Sequence, residues 1–205
     1  MEKAALIMID MQNGFLHPKS AQCIRMAAET VPACARALAF ARENGIPVFL
    51  VKRRYRADGS DVELSRYASW RAGGKALSPG APEEIGEEFP PELSPAEEDY
   101  VIIKPRWSAF FQTELDLLLR RLDVRTVLLA GTTTPNCIRT TCYDALALDY
   151  NVVVLEDCCS SQTPEIQRAN MEDMRRAGAF LTDTKGILEG MLETLTDEKK
   201  EWTLL

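Results

Sequence analysis

Six short apolar runs recur along the chain, and a sustained helical pattern follows all but the second of them. The runs are Ala5–Ile9, Pro47–Val51, Tyr100–Lys104, Val127–Ala130, Asn151–Leu155 and Ala179–Thr182. The first, ALIMI, is continuously apolar, as a strand covered on both faces must be. Alternation of this kind predicts a three-layer α/β/α, Rossmann-like fold around a mainly parallel six-stranded sheet. Right-handed crossovers bring the C-terminal ends of the strands to one edge, where α/β proteins bind ligands. At 205 residues the chain can build a substantial core, and we read 1–205 as a single domain.

The helical segments carry their own punctuation. Thr30-Val31-Pro32 marks a start, with Cys34, Leu38 and Ala41 on one face and Gly45 as the stop. Leu115, Leu118, Leu119 and Leu122 line a second helix, and Thr163-Pro164 opens another. A final helix is expected over Thr184–Leu195, followed by a tail whose Trp202, Leu204 and Leu205 could dock on another subunit.

Three reactive groups sit where strands give way to loops. Asp10 follows five apolar residues, so it should be partly buried and needs a partner. Lys104 closes the third run. The third group lies in the stretch 124–147, where an apolar strand stops at Gly131 and three threonines, Pro135 and Cys137 lead into a helix. Thr134 reads as its N-cap and Pro135 as its first residue. Cys137 then falls in the first turn, where free N–H groups and the helix dipole favour a thiolate. Locally, a nucleophile and a small buried hydrophobe both fit this cysteine.

Between the second and third runs the pattern is lost. Residues 53–98 are charged, rich in proline and glycine, and without a sustained period. They read as an excursion, either a lid or an oligomer contact, too poor in large apolar residues for a second domain. Lys52-Arg53-Arg54 reads as a solvated loop. A net charge of −7 with no basic cluster excludes nucleic acid as a partner. No apolar stretch has the length of a membrane span, and the N-terminus does not read as a signal peptide. Six scattered cysteines without a CxxC spacing fit reduced thiols and a cytoplasmic protein, not disulfides or structural zinc. No Gly-x-Gly-x-x-Gly follows the first strand, so a dinucleotide cofactor is not expected.

Three spaced motifs then resemble one family. They are Asp-x-Gln-Asn-x-Phe (Asp10, Gln12, Asn13, Phe15), Lys-Pro-x-x-Ser-x-Phe (Lys104 to Phe110) and Gly-x-x-Thr-x-x-Cys (Gly131, Thr134, Cys137). In this order they resemble the isochorismatase-like cysteine hydrolase superfamily, which includes nicotinamidases and N-carbamoylsarcosine amidase. The resemblance covers nearly the whole chain and is weakest in 53–98. It implies strand order 3-2-1-4-5-6, a catalytic triad of Asp10, Lys104 and Cys137, and a cis peptide at Thr132–Thr133. It also implies an oxyanion hole from the backbone N–H groups of Thr133 and Cys137, and a homo-oligomer, dimer or tetramer.

The expected chemistry is thiol attack on a small amide or ureido carbonyl, a thioester, and its hydrolysis. Phe15 and Trp107 are the candidates for packing the small-molecule substrate. Nicotinamidases of the superfamily place an Asp and paired histidines on a metal after the second strand. This chain has only His17, near the first motif, so neither a metal nor a cofactor is expected. Gly14 and Pro135 stand where many members carry an acidic residue. Two other readings remain open: hydrolysis of a non-amide vinyl ether, as in true isochorismatases, and a redox-reactive or vestigial Cys137.

Overall fold

The computed structural model describes residues 3–190. Its sheet has six strands: β1 (Ala4–Ile9), β2 (Val48–Arg53), β3 (Tyr100–Lys104), β4 (Thr126–Thr132), β5 (Asn151–Ser160) and β6 (Phe180–Thr182). They lie in the order β3-β2-β1-β4-β5-β6, and every neighbouring pair is parallel. The helices are α1 (Asn13–Leu16), α2 (Ala27–Glu43), α3 (Tyr67–Ala72), α4 (Leu115–Arg121), α5 (Arg139–Ala147), α6 (Pro164–Arg176) and α7 (Thr184–Leu188).

The continuous apolar run of β1 follows from its central place. Alternate side chains point to opposite faces of a strand. Leu6 and Met8 join the core beneath α2, while Ala5, Ile7 and Ile9 join the core beneath α4 and α5. At the edge the rule changes: β3 has one neighbour, and its Val101 and Ile103 are exposed. The third run is therefore an edge strand rather than a fully buried one.

Helix boundaries moved for identifiable reasons. α2 starts at Ala27, one turn before Thr30, and carries Pro32 inside it. The proline is tolerated because Ala28, whose carbonyl its N–H would have served, is exposed to solvent. α6 begins as expected, with the Thr163 hydroxyl accepting from Ile166 N–H at 3.3 Å. α7 is described only over Thr184–Leu188. The expected positions Met191, Leu192, Leu195, Trp202, Leu204 and Leu205 lie outside the described residues. Among the described residues no helix is long and apolar enough to cross a membrane.

The excursion is bound into the main core. Trp70 of α3 is buried, donates its indole N–H to Ala76 O at 3.0 Å and meets the Tyr55 ring edge-on. With Leu77, Ile85 and Leu93 it belongs to the same apolar cluster as β1 and α2. Gly14, at the first loop, shows how close the packing is: a Cβ there would lie 2.5 Å from Leu77 Cδ2. An acidic side chain has no room at that position.

Candidate active site

Asp10, Lys104 and Cys137 converge at the C-terminal edge of the sheet. Asp10 ends β1 in a left-handed conformation (φ 56°) and donates its N–H to Val51 O at 2.8 Å. Lys104 ends β3, two strands away, across roughly 10 Å of sheet. Only a long side chain closes that gap. Its Nζ stands 2.8 Å from Asp10 Oδ2 and 3.6 Å from Cys137 Sγ, and donates to Arg106 O at 2.9 Å. Both ionic side chains are fully buried. Apart from that ion pair, the carboxylate's one other hydrogen-bonding neighbour among the described residues is the Cys137 thiol, which is within reach of it. A buried carboxylate beside a thiol is placed to accept a proton.

The turn that carries Cys137 is shaped by its neighbours. Thr134–Ile138 is a single π-helical turn leading into α5, with Thr133 as its N-cap. Thr134 is thus inside the turn, not its cap. Its hydroxyl donates to Ser160 O at 3.0 Å, and the hydroxyls of Thr132 and Thr133 converge on the same carbonyl. Three threonines in a row are explained by that one acceptor on β5. The peptide between Thr132 and Thr133 is cis. Asn136 and Ile138 both donate their N–H groups to Thr133 O. Gly131, at φ 116°, passes so close to β1 that a Cβ would lie 2.0 Å from Ile9 O. Thr141 couples the site's two outer loops: its hydroxyl donates to Cys137 O at 2.6 Å and accepts from Ala109 N–H at 2.9 Å.

Burial pushes the Cys137 thiol above its ordinary value, and the charge of Asp10 adds to this. Lys104 and Arg53 oppose both without reversing them. Burial against a carboxylate thus favours the protonated sulfur, opposite to the shift expected from a helix terminus.

The sequence profile of the Isochorismatase domain matches residues 4–186. The chain belongs to the isochorismatase family. A solved isochorismatase family protein from Desulfovibrio vulgaris is 44% identical, with a TM-score of 0.86 over 93% of this chain and 98% of that one. A probable inactive nicotinamidase of Arabidopsis thaliana is 41% identical over 176 residues, 85% of this chain and 89% of its own. A ureidoacrylate amidohydrolase of Acinetobacter baylyi is 30% identical over 206 residues, 91% of this chain and 83% of its own. With the buried Asp10-Lys104-Cys137 arrangement, family membership makes this protein a cysteine hydrolase of the kind that acts on small amide or ureido compounds.

In this isochorismatase-family site Cys137 borders a cavity of about 220 Å³. Cys137 forms part of its wall, while Asp10 and Lys104 stand behind it, out of contact with solvent. Phe15 and Thr133 line the same cavity. Trp107 does not: it is 43% exposed, on a loop beside the edge strand β3. Following Lys104 in sequence did not bring its ring to the pocket.

Two residues at the site had no predicted role. Arg53 is not in a solvated loop: β2 runs on through it, its side chain is 1% exposed, and it lines the cavity. Gln12 holds it there. The Gln12 amide donates to Arg53 O and accepts from Arg53 N–H, both at 2.7 Å, so a side chain extends the β1–β2 ladder by one rung. The same amide donates to Glu87 O at 2.8 Å, tying in the excursion. The apolar run 47–51 ends before Lys52, which hid this continuation. The glutamine of the first motif was the available signal.

At the end of β2 and just beyond it, where a nicotinamidase-type metal would have its ligands, the chain presents Arg53 and Tyr55. A guanidinium offers a metal no lone pair. Among the described residues no three His, Cys, Asp or Glu side chains come together as a metal site. His17 accepts from Lys19 N–H at 3.2 Å in its own loop.

Proposed function

We propose that the protein hydrolyses a small amide or ureido C–N bond through a thioester on Cys137. The observation that carries this is the thiol at the cavity wall with the Asp10–Lys104 pair directly behind it. As Cys137 Sγ attacks the carbonyl carbon, Asp10 takes the thiol proton. Deprotonation on attack suits a sulfur whose protonated form is favoured. The Lys104 ammonium, within reach of both groups, balances the charge that moves from carboxylate to sulfur and back. The carbonyl oxygen becomes an oxyanion on the backbone N–H groups of Thr133 and Cys137.

Collapse of the tetrahedral intermediate breaks the C–N bond, and the proton on Asp10 passes to the departing nitrogen. Ammonia or an amine leaves. Water then adds to the thioester carbonyl, with Asp10 as base, and the acid departs as the thiol reforms. No step needs a metal. Phe15 supplies an apolar wall for the substrate. The Acinetobacter relative, a ureidoacrylate amidohydrolase, supports the ureido class. Six free cysteines support a reducing, cytoplasmic setting. The exposed apolar groups Val101, Ile103, Trp107 and Phe111 support contact between copies in a homo-oligomer, which sedimentation would reveal.

Ammonia release across a panel of small amides and ureides, run beside Asp10→Asn, tests the mechanism. The asparagine cannot take the thiol proton, and turnover should fall about a thousandfold in a protein that still folds. Unchanged turnover in Asp10→Asn would remove the base from this account.

A further inference from the structure

We infer that Arg53, with Arg66 on the same cavity wall, binds a carboxylate carried by the substrate, so that the amide or ureide cleaved at Cys137 is an acidic one. This inference rests on the amide-hydrolysis reading above and names the substrate class within it.

The charged side chains that line the cavity are these two arginines, with no carboxylate among the lining residues. That polarity runs against the chain as a whole, whose net charge is −7. Burying a guanidinium is costly unless its charge and its N–H groups are answered. Glu63 answers part of it, taking an ion pair from Arg53 Nη1, which also donates to Tyr55 OH at 3.0 Å. Tyr55 in turn donates to Glu63 Oε2 at 2.7 Å. Burial alone would raise Glu63, but the Arg53 charge and these hydrogen bonds hold it below the usual carboxylate range. Glu63 is thus an anion that fixes one side of the guanidinium fork.

The other side lacks a partner. Arg53 Nε is buried and has no hydrogen-bond acceptor among the described residues. Arg66 pairs with no carboxylate among them; it donates to Gln22 Oε1 at 3.1 Å, and Gln22 also lines the cavity. The charge of Asp10 also acts on Arg53, but Lys104 offsets it, so two guanidinium groups against Glu63 leave one positive charge in excess. An arginine fork matches a carboxylate in shape and charge, and does so most strongly away from water. About 220 Å³ accommodates an amide with a short acidic chain and little more. The carboxylate on Arg53 would also orient the far end of the molecule, setting the carbonyl against Cys137.

The test pairs acidic and neutral compounds of equal length: malonamate with malonamide, and succinamate with succinamide. Each is measured twice, for ammonia release and for protection of Cys137 against iodoacetamide. In one or both pairs, the acidic member should protect at a concentration at least about tenfold lower than its neutral partner, the scale of one charged hydrogen bond. That preference should collapse in Arg53→Gln and shrink in Arg66→Gln, through KM for the acidic compound and not for the neutral one. Arg66→Gln, at a half-buried position, keeps the test valid should Arg53→Gln fail to fold. Equal protection within both pairs, or a preference unchanged in the variants, would overturn the inference. Preferential protection by the acidic compounds without ammonia release would leave the anion site standing and defeat the hydrolysis reading. Release of ammonia without preference would do the reverse.

Discussion

The strand ends and the excursion both build the active cavity, yet they do so by different means. At the strand ends, regular elements fix the backbone and each contributes one reactive group: Asp10 from β1, Lys104 from β3, Cys137 from the turn after β4. The excursion has little regular structure. It contributes Glu63 and Arg66, and it is held by isolated anchors such as Trp70, Leu77 and the Gln12–Glu87 hydrogen bond. The first region supplies the reactive groups and, at the end of β2, Arg53; the second sets Glu63 and Arg66 around that arginine as parts of the inferred recognition site. Catalytic groups must hold sub-ångström positions, which a sheet provides. Recognition groups can change with a loop while the sheet stays as it is.

If the strand ends are as tightly fixed as this comparison requires, Gly131→Ala should do the most damage. A Cβ there meets the β1 backbone, and alanine is disfavoured at φ 116°. The expected cost exceeds about 4 kcal/mol, seen as loss of folded, soluble protein. A variant with wild-type melting behaviour would show that β1 and β4 can part. Trp70→Ala asks whether the excursion belongs to the core or merely lies on it. Its burial predicts a loss of about 3–5 kcal/mol in denaturant unfolding. A loss under 1 kcal/mol would make the excursion the independent lid that the sequence also allowed. Gln12→Ala cuts the thread between the two regions. Three buried hydrogen bonds go, and roughly 2 kcal/mol of stability should go with them. KM for an acidic substrate should rise as Arg53 loosens.

The sequence made the sheet and its reactive edge readable because both obey short-range rules. An apolar run is visible residue by residue, and a charge directly after it is conspicuous at Asp10 and Lys104. The family motifs then joined groups that lie far apart in the chain. Arg53 escaped because its burial depends on Gln12, 41 residues earlier, and on Glu63, in a segment with no period. Trp107 differs for the opposite reason: a large aromatic next to a reactive lysine looks like a pocket wall, but it lies in the loop after β3, 43% exposed and outside the cavity lining. The thiol at Cys137 differs as well. Its position suggested a thiolate, while its protonation depends on Asp10, a partner brought in by the fold.

The smallest expected effect is a shift in a titration. With burial and Asp10 holding the Cys137 thiol up, its labelling by iodoacetamide should rise with pH and reach its midpoint above the ordinary 9.0. Asp10→Asn removes the negative neighbour, so the midpoint should move down. Cys142, five residues on and pushed up to about 12 by burial, should stay unlabelled through the same range. A Cys137 midpoint below 9.0 would restore the helix-terminus thiolate in place of the carboxylate-paired thiol.

The covalent intermediate is the centre of this account, and the mass of the acid-quenched protein reads it directly. Mixed with an amide or ureide that it turns over, the wild-type protein should gain the mass of the acyl group on the peptide containing Cys137. Cys137→Ala should gain nothing and release no ammonia. Ammonia release that survives in Cys137→Ala would contradict the thioester route and return the chemistry to Asp10 and water.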